Sequence, residues 1–247
     1  MKLIVDFDSF IYKACYACEG MTEIKPRVYV QSFSLDKGFD YFKNVLDTAL
    51  QNTKCNDYVL CLSDWRNFRK EIIPTYKANR KGTKHPPFFE ELKAMVFESF
   101  ETYKRPYLEA DDICRVLYEE DPKNSIIASI DKDMMSFPCK LYNPDKPQLG
   151  IVDIDKRTAF KNFAKQLIMG DKCDGYEGIK GMGVARTEKL LDGLQTLDDV
   201  ITLYLENGYT EEDFQRVYNQ AFILGKREAG LNMLELYGGE LWKIPQE

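Results

Sequence analysis

Nine acidic residues are spaced along the chain in a way that suits the holding of a hard divalent cation: Asp6, Asp64, Glu109, Asp111, Asp112, Asp131, Asp133, Asp171 and Asp174. In an extended segment side chains alternate sides, so Asp131-x-Asp133 places two carboxylates together. Glu109-Ala110-Asp111-Asp112 opens a helix, where the macrodipole favours negative charge. There Glu109 and Asp112 share a face, and Asp111 turns about 100° from Asp112. Asp171 and Asp174 fall in a turn between helices, and Asp8, in Asp6-x-Asp8-Ser9, reads as a cap for the next helix. Any one such pair is most often a cap or a solvated turn; the weight lies in their combination. Two carboxylates ~4 Å apart repel by about 4 kcal/mol at an effective dielectric of 20. Convergence therefore calls for a cation, and oxygen donors suit Mg²⁺ or Mn²⁺. Two such ions ~3.5–4 Å apart can activate water and stabilise both oxygens of a phosphoryl displacement.

The elements that must deliver these acids are legible as periodicities. Residues 2–7, 58–62 and 125–130 are apolar runs of strand length. Phe39, Phe42, Val45, Leu46, Ala49 and Leu50 recur at helical spacing, as do Phe88, Leu92, Met95, Val96, Ser99, Phe100 and Tyr103. Residues 110–118 form another helical stretch. Strands alternating with helices predict an α/β fold, a mostly parallel sheet covered on both faces. Ligands bind such sheets at the carboxyl ends of the strands, where Asp6, Asp64 and Asp131 all fall. From Asp155 onward the pattern predicts helices only, with capping boxes at Thr196/Asp199 and Thr210/Asp213. The division expected is an α/β domain over 1–154 and a helical region over 155–247. Residues 19–34 fit neither period and stay unassigned.

Composition narrows the function classes. No run approaches the ~18 apolar residues of a membrane span. The N-terminus reaches a charge too early for a signal-peptide core, so a cytoplasmic location is expected. The seven cysteines follow no disulfide framework; Cys15-x-x-Cys18 has no partner pair for zinc and reads as helix packing. The single His85 excludes mechanisms needing two histidines. The net charge of −6 argues at first against a nucleic-acid partner. Without the nine clustered acids, however, the remaining acidic residues number fewer than the 34 basic ones.

Two further features point to nucleic acid. Residues 65–87 carry Arg66, Arg69, Lys70, Lys77, Arg80, Lys81 and Lys84 against the single acid Glu71, with Trp65, Phe68 and Tyr76 interleaved. Cations beside aromatics suit a single strand, or else a solvated basic loop; the position directly after Asp64 favours the former. Gly178-x-x-Gly181-x-Gly183 has the wrong order for a dinucleotide fingerprint, and no strand is expected before it. Its glycines would allow close approach to phosphates, with Lys180, Arg186 and Lys189 adding charge.

Taken in order, Ile4-Val5-Asp6, Asp64, Pro74-x-Tyr76-Lys77-x-x-Arg80, Glu109-Ala110-Asp111-Asp112, Asp131-x-Asp133 and Gly170-Asp171-x-x-Asp174-x-x-x-Gly178-x-x-Gly181-x-Gly183-x-Ala185 resemble the flap endonuclease/5′-3′ exonuclease family. That family includes the nuclease part of bacterial DNA polymerase I and the phage ribonuclease H enzymes. The resemblance implies a resolvase/PIN-like fold with a C-terminal helix-three-turn-helix that grips duplex phosphates at Gly178, Gly181 and Gly183. It implies a first metal region at Asp6, Asp64, Glu109, Asp111 and Asp112, and a second at Asp131, Asp133, Asp171 and Asp174. Lys77 and Arg80 would act on the scissile phosphate, with Tyr76 beside them at the nucleic acid. The family also holds K⁺ in the glycine turn, and it forms a helical arch where this chain has only residues 81–87.

The function so implied is Mg²⁺- or Mn²⁺-dependent 5′-nuclease action on 5′ flaps, nicks, ends or RNA–DNA hybrids, leaving 5′-phosphate and 3′-hydroxyl ends. A monomer is expected, acting beside replication proteins in a bacterial or phage-infected cytoplasm. The rivals are a PIN-type ribonuclease and a non-catalytic binder of branched DNA. The glycine turn and the Tyr76-Lys77-x-x-Arg80 segment weigh against the first, and nine unexplained acids against the second.

Overall fold

Alternation along three apolar runs decides which side of the sheet each residue serves. In a computed structural model that describes residues 1–80, 82 and 85–228, these runs are β1 (Lys2–Asp6), β4 (Asp57–Leu62) and β6 (Ser125–Ala128). Leu3, Val5, Leu60, Leu62, Ile126 and Ala128 join one buried cluster, while Ile4, Val59, Cys61 and Ile127 join another. A strand buried on both faces reads as a continuous apolar run, as parallel strands do. β1 is parallel to both neighbours, with Asp6 beside Cys61 of β4 and Val5 beside Ala128 of β6.

Between these strands run α1 (Phe7–Ala17), the hairpin β2 (Glu19–Lys25) and β3 (Val28–Phe33), and α2 (Leu35–Thr53). After β4 come α3 (Phe68–Ile72), α4 (Phe89–Ser99), β5 (Thr102–Lys104) and α5 (Ala110–Glu120). β7 (Cys139–Tyr142) and β8 (Ile151–Ile154) complete a sheet of order β5-β4-β1-β6-β7-β8, parallel except for the β7–β8 pair. Phe7, Phe10, Ile11, Phe42, Leu46, Leu92 and Val96 of α1, α2 and α4 cover one face.

The other face is covered by α5 and by α6 (Lys156–Met169), α7 (Val184–Leu191), α8 (Leu197–Glu206) and α9 (Glu211–Ala221). Both expected capping boxes form: Thr196 with Asp199 opens α8, and Thr210 with Asp213 opens α9.

Several expectations need correction. The region after Asp155 is not helical throughout, because β9 (Gly170–Asp171) and β10 (Tyr176–Glu177) pair antiparallel between α6 and the glycine turn. A short strand therefore does precede Gly178. Residues 19–34 hold the β2–β3 hairpin, whose side chains are mostly exposed on both faces, so no period-two burial pattern marks them. β6 ends at Ala128, and Asp131 caps a 3₁₀ turn over Lys132–Ser136. Asp131-x-Asp133 is thus not extended; the Asp133 N–H donates to Asp131 Oδ1 at 2.9 Å.

All seven cysteines are free, six of them buried. Among the described residues no helix is long and apolar enough to cross a membrane.

Candidate active site

The carboxyl edge of the sheet gathers most of the acids, and electrostatics shows which ones. Asp6 ends β1, is 5% exposed and caps α1 through Ser9. Ser129 Oγ donates to Asp6 Oδ2 at 2.7 Å, yet burial and repulsion from Asp8 and Asp131 push the Asp6 carboxyl up to about 7. Asp8 is not the cap. It lies in the first turn of α1, where burial and Glu109 raise its pKa against hydrogen bonding from Ser63 and the charge of Lys93.

Asp111, in the first turn of α5, is raised well above the carboxylate range by burial, Glu109 and Asp6, with Lys77 opposing. Asp133 reaches about 7 through burial and its neighbours Asp131, Asp171 and Asp174. Asp174 is raised by burial, Glu109 and Asp171 against Lys77 and Arg80. Asp6, Asp8, Glu109, Asp111, Asp112, Asp131, Asp133, Asp171 and Asp174 therefore share one electrostatic neighbourhood.

Two acids in this neighbourhood are held ionised. Burial would raise Glu109, but Lys77 and Arg69 more than reverse it and set it at about 2. Glu109 accepts from Lys77 Nζ at 2.8 Å, Arg69 Nη1 at 2.8 Å and Tyr76 Oη at 3.0 Å. Asp171 is likewise lowered despite burial, by Lys132 at 2.7 Å and the Cys173 N–H.

The other two predicted ligands, Asp64 and Asp112, are each paired with a basic residue. Asp64 accepts from the Tyr107 N–H at 2.9 Å and Lys104 Nζ at 2.8 Å, which lower its pKa against burial. It ties the end of β4 to the loop before α5, where its own N–H donates to the Leu108 carbonyl. Asp112 is fully buried, with both oxygens occupied by Arg69 and further bonds from the Glu109 and Leu224 N–H groups. Three residues after Glu109, it shares the Arg69 guanidinium with that acid and adds to the repulsion on Asp111.

The basic segment divides in the same way. Lys77 Nζ lies between Glu109 and Asp174, the latter at 3.7 Å. Its backbone has φ 52°, a left-handed conformation costing a non-glycine residue roughly 1–2 kcal/mol, and its N–H donates to the Asp174 carbonyl. Such strain persists where the surroundings over-determine it, as at functional sites. Arg80 Nη2 reaches Asp174 Oδ1 at 2.6 Å from an exposed position.

Tyr76 is 4% exposed and donates to Glu109, so its ring is packed away and offers no stacking surface to a base. Phe68 and Arg69 are buried as well, leaving Trp65 as the exposed aromatic of this stretch, 5.5 Å from Arg66. Lys81 and Lys84 lie outside the described residues.

The three turn glycines do different things. A Cβ on Gly178 would sit 2.3 Å from the Ile168 carbonyl oxygen, so this glycine serves packing within the fold. Gly181 has φ +82°, which a side chain would strain. Gly183 is the N-cap of α7 with nothing within 4 Å of its Cβ position, an open approach to backbone. Lys180, Arg186 and Lys189 are exposed around it.

The donor set fits divalent cations. Every candidate ligand is a carboxylate oxygen, and several are desolvated carboxyls raised by one another, a cost that a hard cation relieves. Among the described residues, no three of these side chains close on a common point as they would around an ion.

A sequence model for the 5′-3′ exonuclease N-terminal resolvase-like domain matches residues 1–159. The exodeoxyribonuclease of Enterobacteria phage T3 is 37% identical and the exonuclease of Escherichia phage T7 35% identical, each over 201 residues. These matches span 73% of this chain and 63% of each relative's own length. The structure of a bacteriophage T5 flap endonuclease in complex with DNA and metal ions aligns over 98% of both chains, with a TM-score of 0.64 at 15% identity; that likeness bears on the fold alone. On the sequence match, which takes in β1 through the start of α6 and with them Asp6, Asp8, Glu109, Asp111, Asp131 and Asp133, the chain belongs to the 5′-3′ exonuclease family.

Proposed function

We propose that the protein is a divalent-metal-dependent 5′-nuclease that hydrolyses DNA phosphodiesters at 5′ flaps, nicks or ends, with RNA–DNA hybrids as further substrates. The observation that carries this reading is how the acids of β1, α5 and the turns are linked: Lys77 bridges Glu109 and Asp174, Lys132 bonds Asp171, and Ser129 joins Asp6 to the Asp131 backbone. The phage relatives named exonucleases, and the T5 structure with DNA and metal ions, support it.

Asp6, Asp8, Glu109 and Asp111 would hold one ion, and Asp131, Asp133, Asp171 and Asp174 a second. Mg²⁺ or Mn²⁺ held there would supply Lewis-acid activation of water and charge neutralisation at the phosphodiester. The protein's own part is orientation and charge. Lys77 and Arg80 stand at the rim on acids of the site, from which they can turn to a phosphate oxygen as negative charge builds on it. Trp65 and Arg66 offer an aromatic face and a cation to the single strand. The turn at Gly181–Gly183, with Lys180, Arg186 and Lys189, is the part we assign to duplex phosphates in a helix-three-turn-helix, with K⁺ at the same turn. A monomer working beside replication proteins completes the reading.

The test is cleavage of a 5′-labelled flap beside a 3′-labelled one, in Mg²⁺ and in excess chelator. Mg²⁺-dependent cutting of the 5′ flap supports the reading, and full activity in chelator contradicts it. A protein that binds the flap without ever cutting would be a branched-DNA binder.

A further inference from the structure

After α9 the chain runs back along α5. Phe222, Ile223 and Leu224 are at most 4% exposed. Their backbone is tied down by side chains from α3 and α5: Arg69 Nη2 donates to the Phe222 carbonyl at 2.5 Å, and Arg115 Nη1 to the Ile223 carbonyl at 2.6 Å. In return the Leu224 N–H donates to Asp112 at 2.8 Å, and the Lys226 N–H to Glu119 at 2.7 Å.

The guanidinium at the centre of this network also enters the acid site. Arg69 Nη1 donates to both Glu109 and Asp112 at 2.8 Å, and Nη2 donates to Asp112 at 2.7 Å. Its Nε is buried without a hydrogen-bond partner among the described residues, and its guanidinium carbon lies 4.6 Å from the centre of the Phe68 ring. Buried ion pairs contribute little to stability over an apolar packing, so stability alone is a poor account of this arrangement. Glu109 has two cationic partners. Lys77 is the one nearer solvent; Arg69 cannot move without breaking three other bonds.

We propose that Arg69 is a positioning residue for the acid site, and that residues 222–226 hold it there. It keeps a cationic partner on Glu109 and holds that carboxylate aimed when Lys77 departs, and its own place depends on the Phe222 carbonyl and on Asp112, which the Leu224 N–H fixes in turn. Metal binding at the sheet edge is thereby coupled to a segment beyond residues 1–159, which the family match covers. The inference rests on the reading of the acids as a metal site.

The test uses the full chain in two measurements. Arg69→Lys keeps the charge but cannot span Glu109, Asp112 and the Phe222 carbonyl at once. Supporting partners of metal ligands are worth roughly 10–100-fold in metal affinity or activity. The expected result is a shift of this size in the Mg²⁺ midpoint, read by calorimetry without DNA and by cleavage. Flap affinity in chelator should stay close to wild type, because Arg69 is buried and presents no group to DNA. A merely structural role would lower the folded fraction and leave that midpoint in place.

The second measurement needs no variant. Coupling is reciprocal, so saturating Mg²⁺ should slow amide hydrogen exchange at Leu224 in the wild-type protein. An unchanged midpoint in folded Arg69→Lys overturns the proposal; if that variant does not fold, unchanged Leu224 exchange on Mg²⁺ binding overturns it. A wild type that neither binds Mg²⁺ nor cuts removes the metal-site reading itself, and the coupling with it.

Discussion

The ammonium of Lys77 lies 2.8 Å from Glu109 Oε1, so the cation delivered by the basic segment is already neutralised by an acid of the site. In the proposed mechanism the pair holds the site's charge down until a phosphate takes the cation over. Lys77→Ala should therefore lower single-turnover cleavage by roughly 10²–10³-fold, the loss expected for one donor to transition-state charge. The loss should persist at saturating enzyme. Full recovery of the rate at saturation would make Lys77 part of an electrostatic attraction only.

Asp133 offers a separation of catalysis from stability. Its carboxyl is pushed up to about 7 by burial and by Asp131, Asp171 and Asp174. Asp133→Asn removes a charge that its neighbours repel and keeps the side chain's size. We predict loss of cleavage with a thermal midpoint equal to or above that of the metal-free wild type. Retained cleavage would show that the carboxylate is not used.

The same shifts fix the sign of a pH effect. In the metal-free protein Asp6 and Asp133 bind protons up to about 7, whereas unfolded aspartates release theirs near 3.9. Between these values the folded state holds more protons, so stability falls as pH rises. Asp8 and Asp131 face Asp6, and Asp131, Lys132, Asp171 and Asp174 face Asp133. Glu109 and Asp171 are shifted the other way, and their contribution is lost only below the ordinary carboxylate range. The thermal midpoint in chelator should accordingly be higher at pH 6 than at pH 8, and Mg²⁺ should raise it more at pH 8. A chelated midpoint that climbs from pH 6 to pH 8, with no larger Mg²⁺ effect at pH 8, would contradict this.

Of the turn glycines, only Gly183 gives a clean reading of duplex contact. A side chain at Gly178 meets backbone, and one at Gly181 is strained by positive φ, so either loss mixes folding with binding. Gly183 has extended dihedrals and open space around its Cβ position. Gly183→Val should leave the fold in place, at a cost of about 1 kcal/mol as a poorer N-cap, and weaken duplex affinity. Equal affinity for duplex DNA would place the phosphates elsewhere.

How much of this was legible in sequence depended on whether a residue's surroundings were local. That Asp6 and Asp111 face other acids was readable, because a strand end and a helix start fix where they point. Asp64 and Asp112 sit in the same motifs, but their partners Lys104, Tyr107, Arg69 and Leu224 arrive from distant segments. Asp8 reads as a cap from its place in Asp6-x-Asp8-Ser9 before a helix; in the structure the helix begins two residues earlier, and Asp6 caps α1 and still faces the acids. Arg69 was indistinguishable from its basic neighbours, since nothing local marks one arginine of a basic run for burial. The β2–β3 hairpin carried no periodic signal because neither of its faces is buried.

The central claim is that divalent ions bind among Asp6, Asp8, Glu109, Asp111, Asp131, Asp133, Asp171 and Asp174, and not at Asp64 or Asp112. Crystals soaked in Mn²⁺ and measured for anomalous scattering test this directly. The account predicts density within that group of acids, with Asp64 still on Lys104 and Asp112 still on Arg69. Density at Asp64 or Asp112, with none among the eight, would contradict it.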